Sequence, residues 1–485
     1  MESTPIQGAA RPKVNPWLVF SATSLSAILV MLNLGALNVA LPAISRYYHA
    51  SASLSSWILL SYMLVNTVLI LVFGQLSDVY GRKTFFLIGT FVFTIVSFTI
   101  GFATNVWLFL FLRILQAAGG ALIISNNSAL ITDAFPKEKL GKGLGMNVLV
   151  ASAAQLLGPV IGGLIASDFG WRWVFWSGVP VGVIGLVWGI WVLRRLPTRG
   201  SGNPIDWLGG VLIFISLSGL ILALSEGGTL GWGSPAVLIG FLIFLVVTPV
   251  FVWLECHVSS PMFDFSLFRD IPYAMGNISA FLNAFTRVSV VLLVSLYLQS
   301  VLHYDPSLAG LGVLPVTIGM LIASPLSGNL SNRLSPRLLS TSGLLVSAVG
   351  LVIILFGLTP ENSYLCSGIG MLLVGLGSGF FMTPNTKAIL TSVPYDHRGF
   401  ANGLRSMLQN MGQVLSTAIS LTIVAAALPS RLKDAVVGGT LTGMPRKDVQ
   451  LMTMGYHWAF LTLLVATIAG VIVSFLRGPV SKQTA

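Results

Sequence analysis

Gly74-Gln75-Leu76-Ser77-Asp78-Val79-Tyr80-Gly81-Arg82-Lys83 joins two apolar runs, residues 54–75 and 84–103. Each run approaches the ~20 residues that a helix needs to cross a hydrocarbon layer of ~30 Å. The decapeptide between them therefore reads as a short turn at the membrane surface. Gly74 and Gly81 permit a tight reversal and close helix approach. Asp78 can sit against a helix N-terminus or a basic partner. Arg82 and Lys83 supply the charge that holds the turn in water, and Arg82 can reach a carboxylate. Asp133, at the end of another apolar run, is the candidate partner.

The same pattern returns once. Gly328-Asn329-Leu330-Ser331-Asn332 follows a later apolar run at an offset of 254 residues and leads into Arg333. A unit of six spans is thus used twice. Repeated bundles of this kind work by alternating access around a site near the membrane midplane.

Composition excludes the soluble alternatives. A chain of 485 residues would make about three soluble domains, but 55% of its residues are apolar and only 8% charged. Soluble proteins carry roughly 25% charged residues, so lipid is the solvent this surface fits. The 51 Gly and 12 Trp agree, because Gly is frequent in membrane helices and Trp favours the interface. The net charge of +11 belongs to cytoplasmic loops rather than to a nucleic-acid surface. Cys256 and Cys366 match no metal or redox spacing, and the five His are scattered over loops and span ends. No Gly-rich phosphate loop followed by Lys-Ser/Thr occurs. The expectation is a protein with no catalytic residues, no metal and no cofactor.

Apolar runs place fourteen spans, near 17–41, 54–75, 84–103, 106–131, 143–166, 171–193, 207–225, 235–254, 272–300, 308–328, 338–358, 363–386, 403–427 and 457–476. The first run exceeds the ~7–15-residue core of a signal peptide, so it reads as a span. With the N-terminus inside, 17 of the 26 basic residues fall in inner loops and six in outer loops. Arg477 counts among the inner ones. Arg113, Arg287 and Arg405 fall within spans. This bias predicts cytoplasmic termini and an even number of spans. The predicted organisation is a six-helix bundle over 1–196, two further helices over 197–270, and a second six-helix bundle over 271–485.

The Gly74–Lys83 stretch resembles the loop signature of the major facilitator superfamily, with Gly, Leu, Asp, Gly, Arg and Lys at the expected spacing. By resemblance, Gly74, Asp78, Gly81, Arg82, Lys83 and Asp133 close the cytoplasmic side. Arg113-Ile-Leu-Gln116-Ala-Ala-Gly119-Gly120 resembles a second signature, whose membrane-embedded Arg is implicated in proton coupling. Gly158-Pro159-Val-Ile-Gly162-Gly163 resembles the signature of exporters, where small residues permit a kink and close helix packing. Asn38-Val-Ala-Leu-Pro42, Gly170-Trp-Arg-Trp-Val-Phe-Trp176, Leu296-Tyr-Leu-Gln299 and Gly310-Leu-Gly-Val-Leu-Pro315 are similar to the fourteen-span drug:proton antiporter branch. The resemblance runs over nearly the whole chain and implies an all-α membrane protein of the major facilitator fold. It implies small-molecule substrates, protons as coupling ion, and a monomer in the cell membrane.

Two departures bear on mechanism. The branch carries an acidic residue in the first span where this chain has Asn33, and an Asn in the sixth span where it has Gly178. No acid falls at a predicted midplane; Asp206, Glu226 and Glu255 lie near span ends. A buried cation costs at least ~2.5–3.5 kcal/mol in a membrane, so Arg113 and Arg287 call for a function. They are expected to face one cavity from opposite sides, with Asn33 and Gln116 nearby. Arg405 lies closer to a cytoplasmic end, where its side chain can snorkel. Guanidinium groups favour planar anions.

Three readings follow. The first is an exporter of amphipathic or drug-like compounds. The second is a carrier for organic anions or anionic lipids. The third is a receptor on a transporter scaffold, which the longest loop, 428–456, is too short to support.

Overall fold

The computed structural model describes residues 15–196, 206–258, 268–331, 333–358, 364–393, 398–428 and 446–478. The basic residues Arg11, Lys13, Arg199, Arg431, Lys433 and Lys482 lie outside them, as does Asn332 of the repeat. The side chain of Asp78 is likewise outside the description.

The chain is helical throughout the described residues. The N-terminal part comprises α1 (Pro16–Tyr47), α2 (Ala52–Tyr80), α3 (Arg82–Ile100), α4 (Val106–Ala134), α5 (Lys137–Asp168), α6 (Trp171–Trp176) and α7 (Gly178–Leu193). A hairpin follows, α8 (Trp207–Leu230) and α9 (Pro235–Glu255). The C-terminal part comprises α10 (Ile271–Ser300), α11 (Pro306–Gly312), α12 (Leu314–Leu330), α13 (Pro336–Gly357), α14 (Tyr364–Thr391), α15 (Arg398–Ala426) and α16 (Arg446–Leu476).

Helix starts follow capping chemistry. Asn105 accepts from the Leu108 amide at 2.8 Å, Asp206 from Gly209 at 2.7 Å, and Asp270 from Tyr273 at 2.9 Å. The decisive turn is as short as the sequence allows. Gly81 alone separates α2 from α3, and its φ of +112° is open to glycine and strained for other residues.

Twelve helices among the described residues are long and apolar enough to cross a membrane. Two expected spans are broken. Ser177 divides α6 from α7, and Val313 divides α11 from α12. Each pair counts as one crossing, Trp171–Leu193 and Pro306–Leu330. Two further helices have the length, α5 with 32 residues, whose described apolar stretch is Ala153–Asp168, and α15 with 29, which carries more polar side chains. The last helix begins at Arg446, eleven residues before the expected start at 457. The polar run ahead of His457 is helical because a helix can continue beyond the apolar stretch that crosses the bilayer.

Pairing within each part follows the repeat. In the first part α3 packs on α4; in the last α13 packs on α14. Gly89 and Gly343 stand 254 residues apart and occupy matching contacts. A Cβ on Gly89 would meet the Gly119 carbonyl at 2.9 Å, and one on Gly343 the Gly377 carbonyl at 2.6 Å. Backbones approach this closely only where side chains are absent.

The two parts share a core at the end of the bundle away from Gly81–Arg82. Ile44 and Phe109 of one pack in a single apolar cluster with Leu296 and Tyr456 of the other. The hairpin lies to the side: α8 touches both α2 and α15. Its partner α9 leaves Leu238, Leu242, Leu245, Val246 and Trp253 exposed. Such a helix needs lipid around it.

Candidate functional site

A small cavity lies where the two parts meet. Leu34, Gly35 and Asn38 of α1, Met63 of α2, and Gln155 and Pro159 of α5 line one side. Arg287, Val288 and Val291 of α10, Val313 and Thr317 beside and within α12, and Gln413 of α15 line the other. Arg287 is 7% exposed, and both its terminal nitrogens donate to Oε1 of Gln155 at 3.4 Å. These are long bonds, bridging the two parts. A guanidinium held so loosely retains capacity for a stronger acceptor. The remaining polar lining, Asn38, Thr317 and Gln413, is neutral, and among the described residues no carboxylate lines the cavity.

The expectation that Arg113 shares this cavity is not met. Arg113 is 0% exposed and lies inside the N-terminal part. Its Nη1 donates to Asn33 Oδ1 at 3.2 Å and to Gln116 Oε1. Gln116 passes the chain on to Ser97 at 2.7 Å. The guanidinium lies 4.3 Å from the centroid of the Tyr62 ring, a cation–π contact. Its Nε and Nη2 have no hydrogen-bond partner among the described residues. The rotation of α4 turns this side chain toward α1, α2 and α3 rather than toward α10. Asn33, Arg113 and Gln116 are therefore one cluster, and Arg287 belongs to another.

Arg405 does not snorkel. It is 7% exposed and donates to Gln409, one turn along α15, at 3.0 Å. Arg477 also departs from its expected place in an inner loop. It is 1% exposed, and its Nη1 donates to Asn385 Oδ1 at 2.6 Å. Asn385 in turn donates to the Gly276 carbonyl at 3.0 Å. The last helix, α16, packs on α10 and α13, and from its end the Arg477 side chain reaches inward to Asn385 of α14. Asp206, Glu226 and Glu255 stand near helix ends as expected, yet all three are buried. Glu226 accepts from Ser53 Oγ and, at 3.1 Å, from Trp57 Nε1, linking α8 to α2.

At the Gly81 turn, Arg82 Nη1 reaches both oxygens of Asp133 at 3.1 Å. Lys83 donates to the Leu196 carbonyl at 2.8 Å, tying the turn to the end of α7. Gly74 has open space beside it, its nearest neighbour being Ser125 at 4.0 Å.

The Gly158–Gly163 stretch presents two faces of α5. A Cβ on Gly158 would lie 2.6 Å from Gly35 Cα, and one on Gly162 2.4 Å from Ala36 Cβ. Both sites press on α1. One on Gly163 would lie 2.3 Å from the Pro306 carbonyl of α11. The Pro159 carbonyl in turn lies against Gly310. A single motif thus contacts its own bundle on one face and the opposite bundle on the other.

Sequence reasoning missed Gln155, Gln413, Asn38 and Thr317 as cavity residues. Gln155 carried a usable signal: it is an amide in an apolar run three residues before Gly158, and polar groups inside membrane helices seldom face lipid. Thr317 and Asn38 carried none, because small polar side chains satisfy themselves on their own helix.

Two helical bundles around a shared cavity, with a lipid-facing hairpin at the side, define a polytopic membrane protein built for moving solutes. The chain belongs to the major facilitator superfamily, whose family model matches residues 23–269 and 276–485. It is 31% identical over 417 residues to multidrug resistance protein Stp of Mycobacterium tuberculosis, covering 86% of this chain and 77% of that protein. It is 29% identical over 418 residues to riboflavin transporter RibZ of Clostridioides difficile, covering 85% and 89%. Among solved structures it superposes on a bacterial homologue of the human lysosomal transporter Spinster with a TM-score of 0.66. That match has 15% identity and covers 97% of both chains, and it speaks for the fold.

Proposed function

We propose that the chain exports amphipathic small molecules across the cell membrane through the cavity at Arg287, and that anionic and neutral compounds are favoured over cations. The observation that carries this reading is Arg287 itself. It is a buried guanidinium in a cavity with neutral amides and no carboxylate, weakly held by Gln155 across the two bundles. A cation entering that cavity meets a like charge in a medium of low dielectric. An anion meets a planar donor with unused capacity.

Fourteen spans accompany this reading, α5 and α15 completing the count of twelve, with both termini cytoplasmic. The bundles 1–196 and 271–485 would then rock about the cavity, with 197–270 as an accessory hairpin. Gly74, Asp78, Gly81, Arg82, Lys83 and Asp133 would gate the cytoplasmic face. Export is supported by the Gly158–Gly163 motif and by similarity to a multidrug resistance protein. In a proton-coupled cycle Arg113 would act from its own cluster, at a distance from the substrate.

The test is transport in reconstituted vesicles under an imposed pH gradient. Anionic, neutral and cationic amphiphiles of matched size are compared in both directions. Preference for anionic or neutral compounds supports the reading. Preference for cations overturns it in favour of a cationic-drug exporter, and gradient-independent flux removes the proton.

A further inference from the structure

We propose that Gln155 is a built-in competitor for the substrate's anionic group: it occupies Arg287 while the bundles are closed, and an anion that displaces it releases one bundle from the other. The proposal rests on the reading of Arg287 as an anion-accepting group and assigns the residue that the anion must replace.

The cavity as it stands is too tight for a substrate. Its free volume is about 30 Å³, room for about two waters, whereas small-molecule sites hold roughly 300 Å³ or more. The two walls must part before a substrate enters. The bond from Arg287 to Gln155 spans them, joining α10 to α5.

Both partners are held from behind. On α5, Pro159 has no N–H to offer the Gln155 carbonyl four residues earlier, so the helix can bend there. That carbonyl lies against Gly35 of α1, with no room for a Cβ between them. On α10, Thr286 shares a hydrogen bond with Thr467 of α16 at 2.8 Å, and Ser289 shares one with Ser416 of α15 at 2.6 Å. These bonds turn the flanking residues into their own bundle and leave Arg287, between them, to the cavity.

As a partner for a guanidinium, Gln155 is weak. Both Nη atoms of Arg287 donate to one neutral oxygen at 3.4 Å, longer than the ~2.7–2.9 Å of a charge-assisted bond. Its Nε has no hydrogen-bond partner among the described residues. A carboxylate or sulfonate brings charge and a second oxygen to the same fork, so it takes the place of the amide. The exchange breaks the bond between α5 and α10. An anion thus binds the parted arrangement better than the closed one, which is what allows it to shift the balance between them. A neutral amphiphile without such an acceptor leaves the bridge in place.

The experiment measures binding of naphthalenesulfonate and of neutral naphthalenemethanol to the purified full chain in lipid nanodiscs, for wild type, Gln155→Met, Gln155→Glu and Arg287→Gln. Gln155→Met keeps the volume and removes the acceptor. The anion should then bind about three- to tenfold more tightly, and the neutral compound within about twofold of wild type. Gln155→Glu puts a carboxylate in the fork and should weaken the anion at least about tenfold. Anion affinity unchanged or lowered in Gln155→Met, or raised equally for both compounds, overturns the proposal. So does a Gln155→Glu chain that binds the anion as wild type does. Anion binding untouched by Arg287→Gln overturns the anion-accepting reading itself, and the proposal with it. Wild-type protein supplies an arm free of substitution effects: naphthalenesulfonate should speed hydrogen exchange of the α5 amides around Gln155. Exchange unchanged or slowed would mean that the anion binds without releasing α5, and would overturn the release.

Discussion

Asn33 accepts a hydrogen bond from Arg113 at 3.2 Å, linking α1 to α4 inside the N-terminal part. The guanidinium is fully buried, and the partners found for it are two neutral amides and the rings of Tyr62 and Phe175. A charge placed this way costs stability, and a packing role does not explain it. Met would fill similar volume without the desolvation penalty.

Arg113→Met should stop coupled transport with little change in thermal stability. Relief from desolvating the guanidinium opposes the loss of the donor to Asn33 Oδ1 and Gln116 Oε1, which costs about 1–3 kcal/mol for each buried group left unsatisfied. Melting of the purified protein and vesicle transport under a pH gradient check the two halves of the expectation. A variant that melts well below wild type would make Arg113 a structural residue.

Asn33→Asp places a carboxylate within reach of Arg113 and neutralises the cluster. Handling of cationic amphiphiles should improve relative to anionic ones by about tenfold, a change of ~1.4 kcal/mol. Competition between matched cations and anions in vesicles measures the ratio. An unchanged ratio would mean that charge at this cluster does not reach the substrate.

Arg287→Ala removes the cation of the cavity lining. Hydrogen bonds to charged groups are worth about 1.5–3 kcal/mol, so anion transport should fall by roughly ten- to a hundredfold. Neutral amphiphiles should change little. Equal loss for both classes would assign Arg287 to the bridge with Gln155 rather than to substrate.

Gly158→Leu forces a side chain onto Gly35 and the Leu32 carbonyl, 2.6 and 2.8 Å from the first added carbon. The helices α1 and α5 must separate, so transport should be lost while membrane insertion persists. Gly163→Ala should act on a different contact, the one with Pro306 of α11, and hinder relative movement of the bundles. Transport at the wild-type rate in either variant would show that the backbone yields cheaply there.

Arg82 and Asp133 form a surface pair whose side chains are 32% and 42% exposed. Such pairs are worth about 0–1 kcal/mol, so Asp133→Asn should leave the melting temperature nearly unchanged. Transport should drop nonetheless if the pair gates the cytoplasmic face, and the charge exchange Arg82→Asp with Asp133→Arg should recover part of it. Asp78→Asn should likewise slow transport without weakening substrate binding in detergent. Binding lost together with transport would contradict a gating role for this turn.

Much of this architecture is legible in the sequence because lipid imposes it. A bilayer demands about 20 apolar residues per helix and full internal hydrogen bonding, so each span leaves a run that can be counted. The Gly81 turn follows from residue types at short range, while Arg82 with Asp133 and the small residues at Gly158 and Gly162 are legible as types that seek a partner on another helix. The breaks at Ser177 and Val313 leave no such mark, since an apolar run reads the same whether its helix is continuous or jointed.

What the sequence determined by itself is the number of apolar runs, the repeat at 254 residues, and the placement of Arg113, Arg287 and Arg405 within spans. What only the tertiary structure decided is the direction in which each of those side chains points. Arg113 turns into its own bundle toward Asn33, Arg287 turns into the shared cavity toward Gln155, and Arg477 folds inward onto Asn385. The physical reason is that hydrophobicity is nearly uniform around these helices. Apolar residues face lipid and core alike, so the sequence carries little rotational information. Each helix's rotation is set by which small residues let neighbouring backbones approach, and that depends on helices far apart in the chain.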